Sequence, residues 1–96
     1  MNTIILLPLV GSFAENKDKA REIRLEQIIP ALEKGKSVIL DFANIGGVTQ
    51  SFIHALVSDL VRHYGNEIFD RVLFKNCAEN VQKIINIVAD YMMEGD

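Results

Sequence analysis

A single cysteine, Cys77, is all the thiol chemistry this chain carries, so no disulfide can form within it. A zinc site of Cys and His ligands would have to be assembled from that thiol and the distant His54 and His63, so no metal or cofactor is expected. Positive charge is also in short supply. Ten Lys and Arg against 13 Asp and Glu give a net charge of −3, and the basic residues are scattered, which argues against a nucleic-acid footprint. Long apolar runs are missing as well: "TIILLPLV" at 3–10 is far below the roughly 20 residues that span a bilayer. No basic segment precedes that run, so it reads as a strand rather than a leader or anchor, and a reducing cytoplasm is the expected compartment. Repeats, linkers and low-complexity tracts are absent too. With 96 residues and a hydrophobic fraction of 49%, the chain is expected to be one domain, 1–96, built around one core.

What is present is an alternation. Three short apolar runs, "TIILLPLV" at 3–10, "SVILDFA" at 37–43 and "RVLFKN" at 71–76, are separated by segments with helical periodicity. None of the runs alternates strictly with polar residues, as expected for strands covered on both faces. The expectation is an α/β fold, a small β-α-β-α-β-α domain with a mainly parallel sheet of three or four strands. Pro8 has no amide to donate, so the first strand should lie at an edge or end near residue 7.

The first helical segment aligns Leu25, Ile28, Ile29 and Leu32 on one face. Pro30 lacks the amide that would bond back to Glu26, so a kink or restart is expected there, and Gly35 is a plausible stop. The preceding "GSFAENKDK" has no period and reads as a loop of variable order. The second helix carries the clearest stripe, Phe52, Ile53, Leu56, Val57, Leu60 and Val61, with Thr49 as N-cap and Gly65 as terminator. His54, Ser58, Asp59, Arg62 and His63 fall on its other faces, where Asp59 and His63 form an i, i+4 surface pair. In the third helix Val81, Ile84, Ile85, Val88 and Met92 align, and Ile87 and Tyr91 widen the stripe beyond one packing surface. Strands wound in sequence with right-handed crossovers would put all three helices on one side of the sheet. The other side would then be covered by the first helix or by a second molecule, a homodimer among the candidates.

Ligands of open α/β sheets gather beyond the carboxyl ends of the strands. That edge carries Asn44, Gly46, Gly47, Thr49, Gln50 and Ser51 after the second strand, and Asn76 and Cys77 after the third. Free amides at a helix start attract anions, but the P-loop pattern needs a lysine that "GGVTQS" does not have. The glycines therefore read first as turn residues, and Thr49 and Ser51 as residues that satisfy free amides. Asp41 sits inside an apolar strand and must find donors; amides of the 44–51 loop would suit it, bracing that loop. Cys77 reads as a small residue packed near a strand end. A Ser51–His54 pair with Asp41 or Asp59 as a third member does not give hydrolase geometry, because neighbours on one helix rarely align for proton abstraction.

The segment "SVILDFANIGGVTQSFIHALVSDLVRHYG" followed by "VLFKNCAENVQKIINIV" resembles the STAS-like domains of unknown function, relatives of bacterial anti-sigma factor antagonists. The shared pattern is an apolar strand ending in Asp-Phe, a short loop, Thr two places before Ser-Phe, an amphipathic helix, and a strand ending in Asn. It covers roughly residues 37–90, with a looser match before. The resemblance implies a non-catalytic regulatory module that docks on a histidine-kinase-like ATPase through the loop and helix at 44–60. It also implies that Ser51 is phosphorylated to release the partner, with Asn44, Gly46, Gly47, Thr49, Gln50, Ser51, His54 and Asn76 as docking residues. Those antagonists favour an Asp before the serine pair and a Gly after it, where this chain has Thr49, Gln50 and Phe52. Beside this reading stand a small-ligand or nucleotide-phosphate sensor using the helix start at 46–51, and a homodimeric structural subunit with no switch.

Overall fold

The structure, a computed structural model, describes residues 2–94. Three strands, β1 (Asn2–Ile5), β3 (Val38–Asp41) and β5 (Val72–Lys75), form a parallel sheet in the order β1-β3-β5. A second, two-stranded parallel ladder joins β2 (Phe13–Ala14) to β4 (Gly47–Val48). The helices are α1 (Leu7–Val10), α2 (Lys17–Ile23), α3 (Ile29–Glu33), α4 (Gln50–Tyr64) and α5 (Glu79–Glu94).

Register decides which side chains enter the core. Ile4 and Leu40 lie opposite each other and are buried, as are Val38 and Val72, whereas Thr3, Ile5, Leu73 and Lys75 are exposed. Helix α4 packs against both α2 and α5. One hydrophobic cluster gathers the inward strand residues with Ile23, Ile28, Leu32, Phe52, Leu56, Leu60, Val81, Ile85 and Val88. The three long helical segments thus lie on one side of the sheet, as sequential right-handed winding requires. The other side is open.

The first apolar run is a strand only to Ile5. Pro8 then sits in the first turn of α1, where a missing amide costs nothing, and β1 is an edge strand. The 11–19 segment is not a loop of variable order. Phe13 and Ala14 pair with Gly47 and Val48, and the Asn16 side chain accepts from the amides of Asp18 and Lys19 to cap α2.

The first helix restarts at Pro30 as expected, with the proline in the first turn of α3. A π-helical segment, Arg24–Ile28, bridges α2 and α3, and the Ile29 amide donates to the Arg24 carbonyl five residues back. That wider turn absorbs the proline and adds one residue to the period. The buried face becomes Ala20, Ile23, Arg24, Ile28, Ala31 and Leu32, so Leu25, expected inside, is 48% exposed. Gly35, with φ of 78°, takes the left-handed position after α3.

Helix α4 follows its sequence closely. Thr49 Oγ1 accepts from the Phe52 amide at 3.1 Å, and Gly65 at φ 81° ends the helix. All six stripe residues are buried; Ser58, expected on another face, is buried with them. Asp59 does not pair with His63. It binds Arg24 at 3.1 Å and Arg62 at 3.0 Å, while the His63 ring meets Tyr64 edge-on. Arg24 is the reason: nearly buried, it donates to the Ala55 carbonyl at 2.6 Å and needs a carboxylate for its second nitrogen.

Candidate functional site

The loop after β3 is held from three sides. Asp41 Oδ1 accepts from the Ala43 amide at 2.9 Å and from Asn76 Nδ2 at 3.0 Å, so the donors are the next turn and the loop after β5 rather than the amides of 44–51. The Asn76 hydrogen bond, then that of the Ala43 amide, and the nearby Lys75 charge hold the Asp41 carboxyl below its ordinary range, against a smaller opposing effect of burial. Asn80 Nδ2 donates to the Gly46 carbonyl at 2.7 Å, and the Gly46 amide donates to the Ser12 carbonyl at 2.8 Å. Asn44 and Asn76 take left-handed backbone at φ 64° and 58°, which asparagine tolerates better than most residues. They, not the glycines, make the turns.

Gly47 is needed for space. A Cβ there would lie 2.9 Å from two ring carbons of Phe13, which stacks across the β2–β4 ladder and is itself 53% exposed. Gly47 therefore serves the approach of β2, whereas a Cβ on Gly46 would meet only the Ser12 carbonyl, at 3.9 Å. The amides of Gly46, Thr49 and Phe52 are all engaged, with the Ser12 carbonyl, the Ala14 carbonyl and Thr49 Oγ1. The amides of Gly46 and Thr49 are thereby withdrawn from a phosphate sensor, which would draw on the first-turn amides of Gln50 and Ser51.

The expected site residues thus fall into two groups. Asn44, Gly46, Gly47 and Asn76 belong to the braced loops, and Thr49 is the cap. Gln50, Ser51 and His54 instead line a 520 Å³ hollow over the start of α4, together with Lys17, Ala55, Ile87, Val88 and Tyr91. Ser51 is exposed, and its hydroxyl lies 3.2 Å from that of Thr49. It makes no hydrogen bond to His54 among the described residues, and Asp41 and Asp59 are engaged elsewhere. His54, His63 and Cys77 are likewise not brought together: among the described residues no three His, Cys, Asp or Glu cluster. Burial pushes the Cys77 thiol up, and the Asp41 charge adds to it, so the thiolate is disfavoured.

Lys17, Asn80 and Phe13 were not legible as site residues. Ile87 and Tyr91 were signalled by the surplus width of the α5 stripe; they are 50% and 71% exposed and form one wall of the hollow.

Among the described residues no helix is long and apolar enough to cross a membrane. A family model for a STAS-like domain of unknown function (DUF4325) matches residues 19–82, reaching further into the first helix than the sequence pattern alone. No curated protein and no solved structure shows detectable similarity to the chain.

Proposed function

The chain belongs to the family of STAS-like domains of unknown function, and from that premise we propose that it is a non-catalytic regulatory module that docks on a protein partner through the 44–51 loop and α4. The partner class is a kinase-like ATPase, and phosphorylation of Ser51 releases it. One observation carries this reading: Ser51 is exposed in the first turn of α4, while the capping duty falls to Thr49. Its hydroxyl shares a 3.2 Å hydrogen bond with Thr49 Oγ1 but satisfies no helix amide itself, so modification leaves the cap on Phe52 in place.

A phosphate at this position adds about −1.5 to −2 charge. Near a helix N-terminus such charge is favourable by about 0.3–1 kcal/mol, so the domain stays folded. A docked partner meets a new dianion, three bulky oxygens and their hydration where it had met a hydroxyl. The braced loops beside it keep the docking surface preorganised, which lowers the ordering cost of association.

The test is Ser51→Asp, with binding to a kinase-like ATPase measured by calorimetry and folding followed by circular dichroism. The expected result is affinity lower by roughly tenfold, about 1.4 kcal/mol, with an unchanged melting profile. Binding equal to wild type sinks the switch.

A further inference from the structure

The hollow at Ser51 is one end of a longer groove. A second hollow of 570 Å³ shares His54 and Tyr91 with it and continues along α4 past Val61 and Arg62 to Gly65. From Ser51 to Gly65 the axis runs about 21 Å, close to four helical turns. One wall is the second apolar stripe of α5. Val81, Ile85, Val88 and Met92 face the core, while Ile87 and Tyr91, four residues apart, stand out beside half-buried Ile84. Exposed apolar groups spaced at i, i+4 along a helix-length trough are the geometry that seats an amphipathic helix.

Charge selects which helix. The chain carries −3 overall, yet among the described residues no carboxylate lines either hollow. The polar rim offers Lys17, His54 and Arg62. Lys17 makes no ion pair among the described residues, and Arg62 shares Asp59 with Arg24. Lys17 and Arg62 over an apolar floor, with no carboxylate lining it among the described residues, complement a helix with a leucine-type stripe flanked by carboxylates.

We infer that the α4/α5 groove takes an acidic amphipathic helix of the partner, an inference that rests on the docking reading and adds the partner's chemistry to it. Ser51 lies at the mouth of the groove beside Lys17 and His54. A phosphate on Ser51 occupies the cationic end and repels the incoming carboxylates, which connects the modification to release.

The probe is a synthetic peptide of about 16 residues with leucines at i, i+4, i+7 and i+11 and glutamates on the flanks. The control has lysine at every glutamate. Each is titrated into the full chain and followed by amide chemical shifts at about 50 mM salt, where charge contacts are least screened. The expected result is saturating shifts confined to the surroundings of Lys17, 50–65 and 84–92, with the glutamate peptide binding at least roughly tenfold tighter than the lysine peptide. Tyr91→Ala and Ile87→Ser, both at exposed positions, should each weaken it severalfold with no change in melting.

Equal affinity for the two peptides, shifts on the open sheet face around Ile5 and Leu73, or no binding at about 1 mM overturns the inference. So does a dilution series in which the groove resonances report a second copy of this chain already seated there. The docking reading is judged separately. An ATPase partner that responds to Ser51→Asp but is not displaced by the glutamate peptide leaves docking standing and overturns the groove assignment. Seating of the peptide in the groove, with partner binding indifferent to Ser51→Asp, keeps the groove and overturns the switch.

Discussion

Thr49→Ala separates structural from regulatory duty at the start of α4. Thr49 Oγ1 satisfies the Phe52 amide at 3.1 Å, and its loss strands that donor at the head of the central helix, beside the fully buried Phe52 side chain. Removing such a cap costs about 1 kcal/mol. In a domain of this size that lowers the melting temperature by roughly 4–8 °C. Thr49→Ser keeps the oxygen and should stay within about 2 °C of wild type. Ser51→Ala removes only an exposed hydroxyl 3.2 Å from that of Thr49, and the expected change is within about 0.5 kcal/mol. Thermal unfolding of the three variants by circular dichroism decides the matter. If Ser51→Ala costs as much as Thr49→Ala, the Ser51 hydroxyl is structural, and the argument that it is free for modification collapses.

Three other outcomes follow from particular contacts. The Asp41 carboxyl is held below its ordinary range in the folded chain, so the stability it contributes is complete above about pH 4, the unfolded value, and is lost as pH falls through the lower folded value. Melting temperature against pH should therefore show a shallower acid limb in Asp41→Asn than in wild type, and an identical limb refutes the Asn76 and Ala43 assignment. Arg24→Ala removes a 2.6 Å hydrogen bond to the Ala55 carbonyl and a buried stem, at a cost of about 2–3 kcal/mol in urea unfolding; Arg24→Met, which keeps the stem, should lose less than about 1 kcal/mol. Because the π turn rotates Leu25 outward, Leu25→Glu is expected within about 0.5 kcal/mol of wild type, whereas Leu32→Ala, 3% exposed, should cost about 2–5 kcal/mol.

Helix α4 was legible because every local signal agreed: a threonine cap, an uninterrupted 3.6-residue stripe and a glycine in left-handed conformation at its end. The strands were legible as runs but not in length, since an apolar run does not say where pairing stops and helix α1 begins. The π segment was invisible to a reading that assumes one period throughout, and that error moved Leu25 into the core. The β2–β4 ladder is two residues long on each side and too short to carry a pattern. In the candidate site, Ser51 and His54 could be placed from α4 alone. The braces from Asn76 to Asp41 and from Asn80 to Gly46 join residues 35 and 34 apart in sequence, and depend on how two loops meet in space.

The open side of the sheet bears on where a partner can sit. That face was expected to be covered by the first helix or by a second molecule, and among the described residues the helices leave it bare. Its size weakens the demand. Three strands about 4.8 Å apart, each four residues of about 3.3 Å, present roughly 190 Å². That is below the apolar patch of about 300–600 Å² that ordinary monomers expose, and about a quarter of the roughly 800 Å² that each partner contributes to a stable complex. Asp41 and Lys75 stand in register across one end of it, which keeps that end wet. On that footprint the three strands alone make little demand for a cover. A partner is better seated on the helical side, where exposed Ile87 and Tyr91 of α5 wall a groove that runs along the mostly polar outer face of α4, with Ser51 at its mouth.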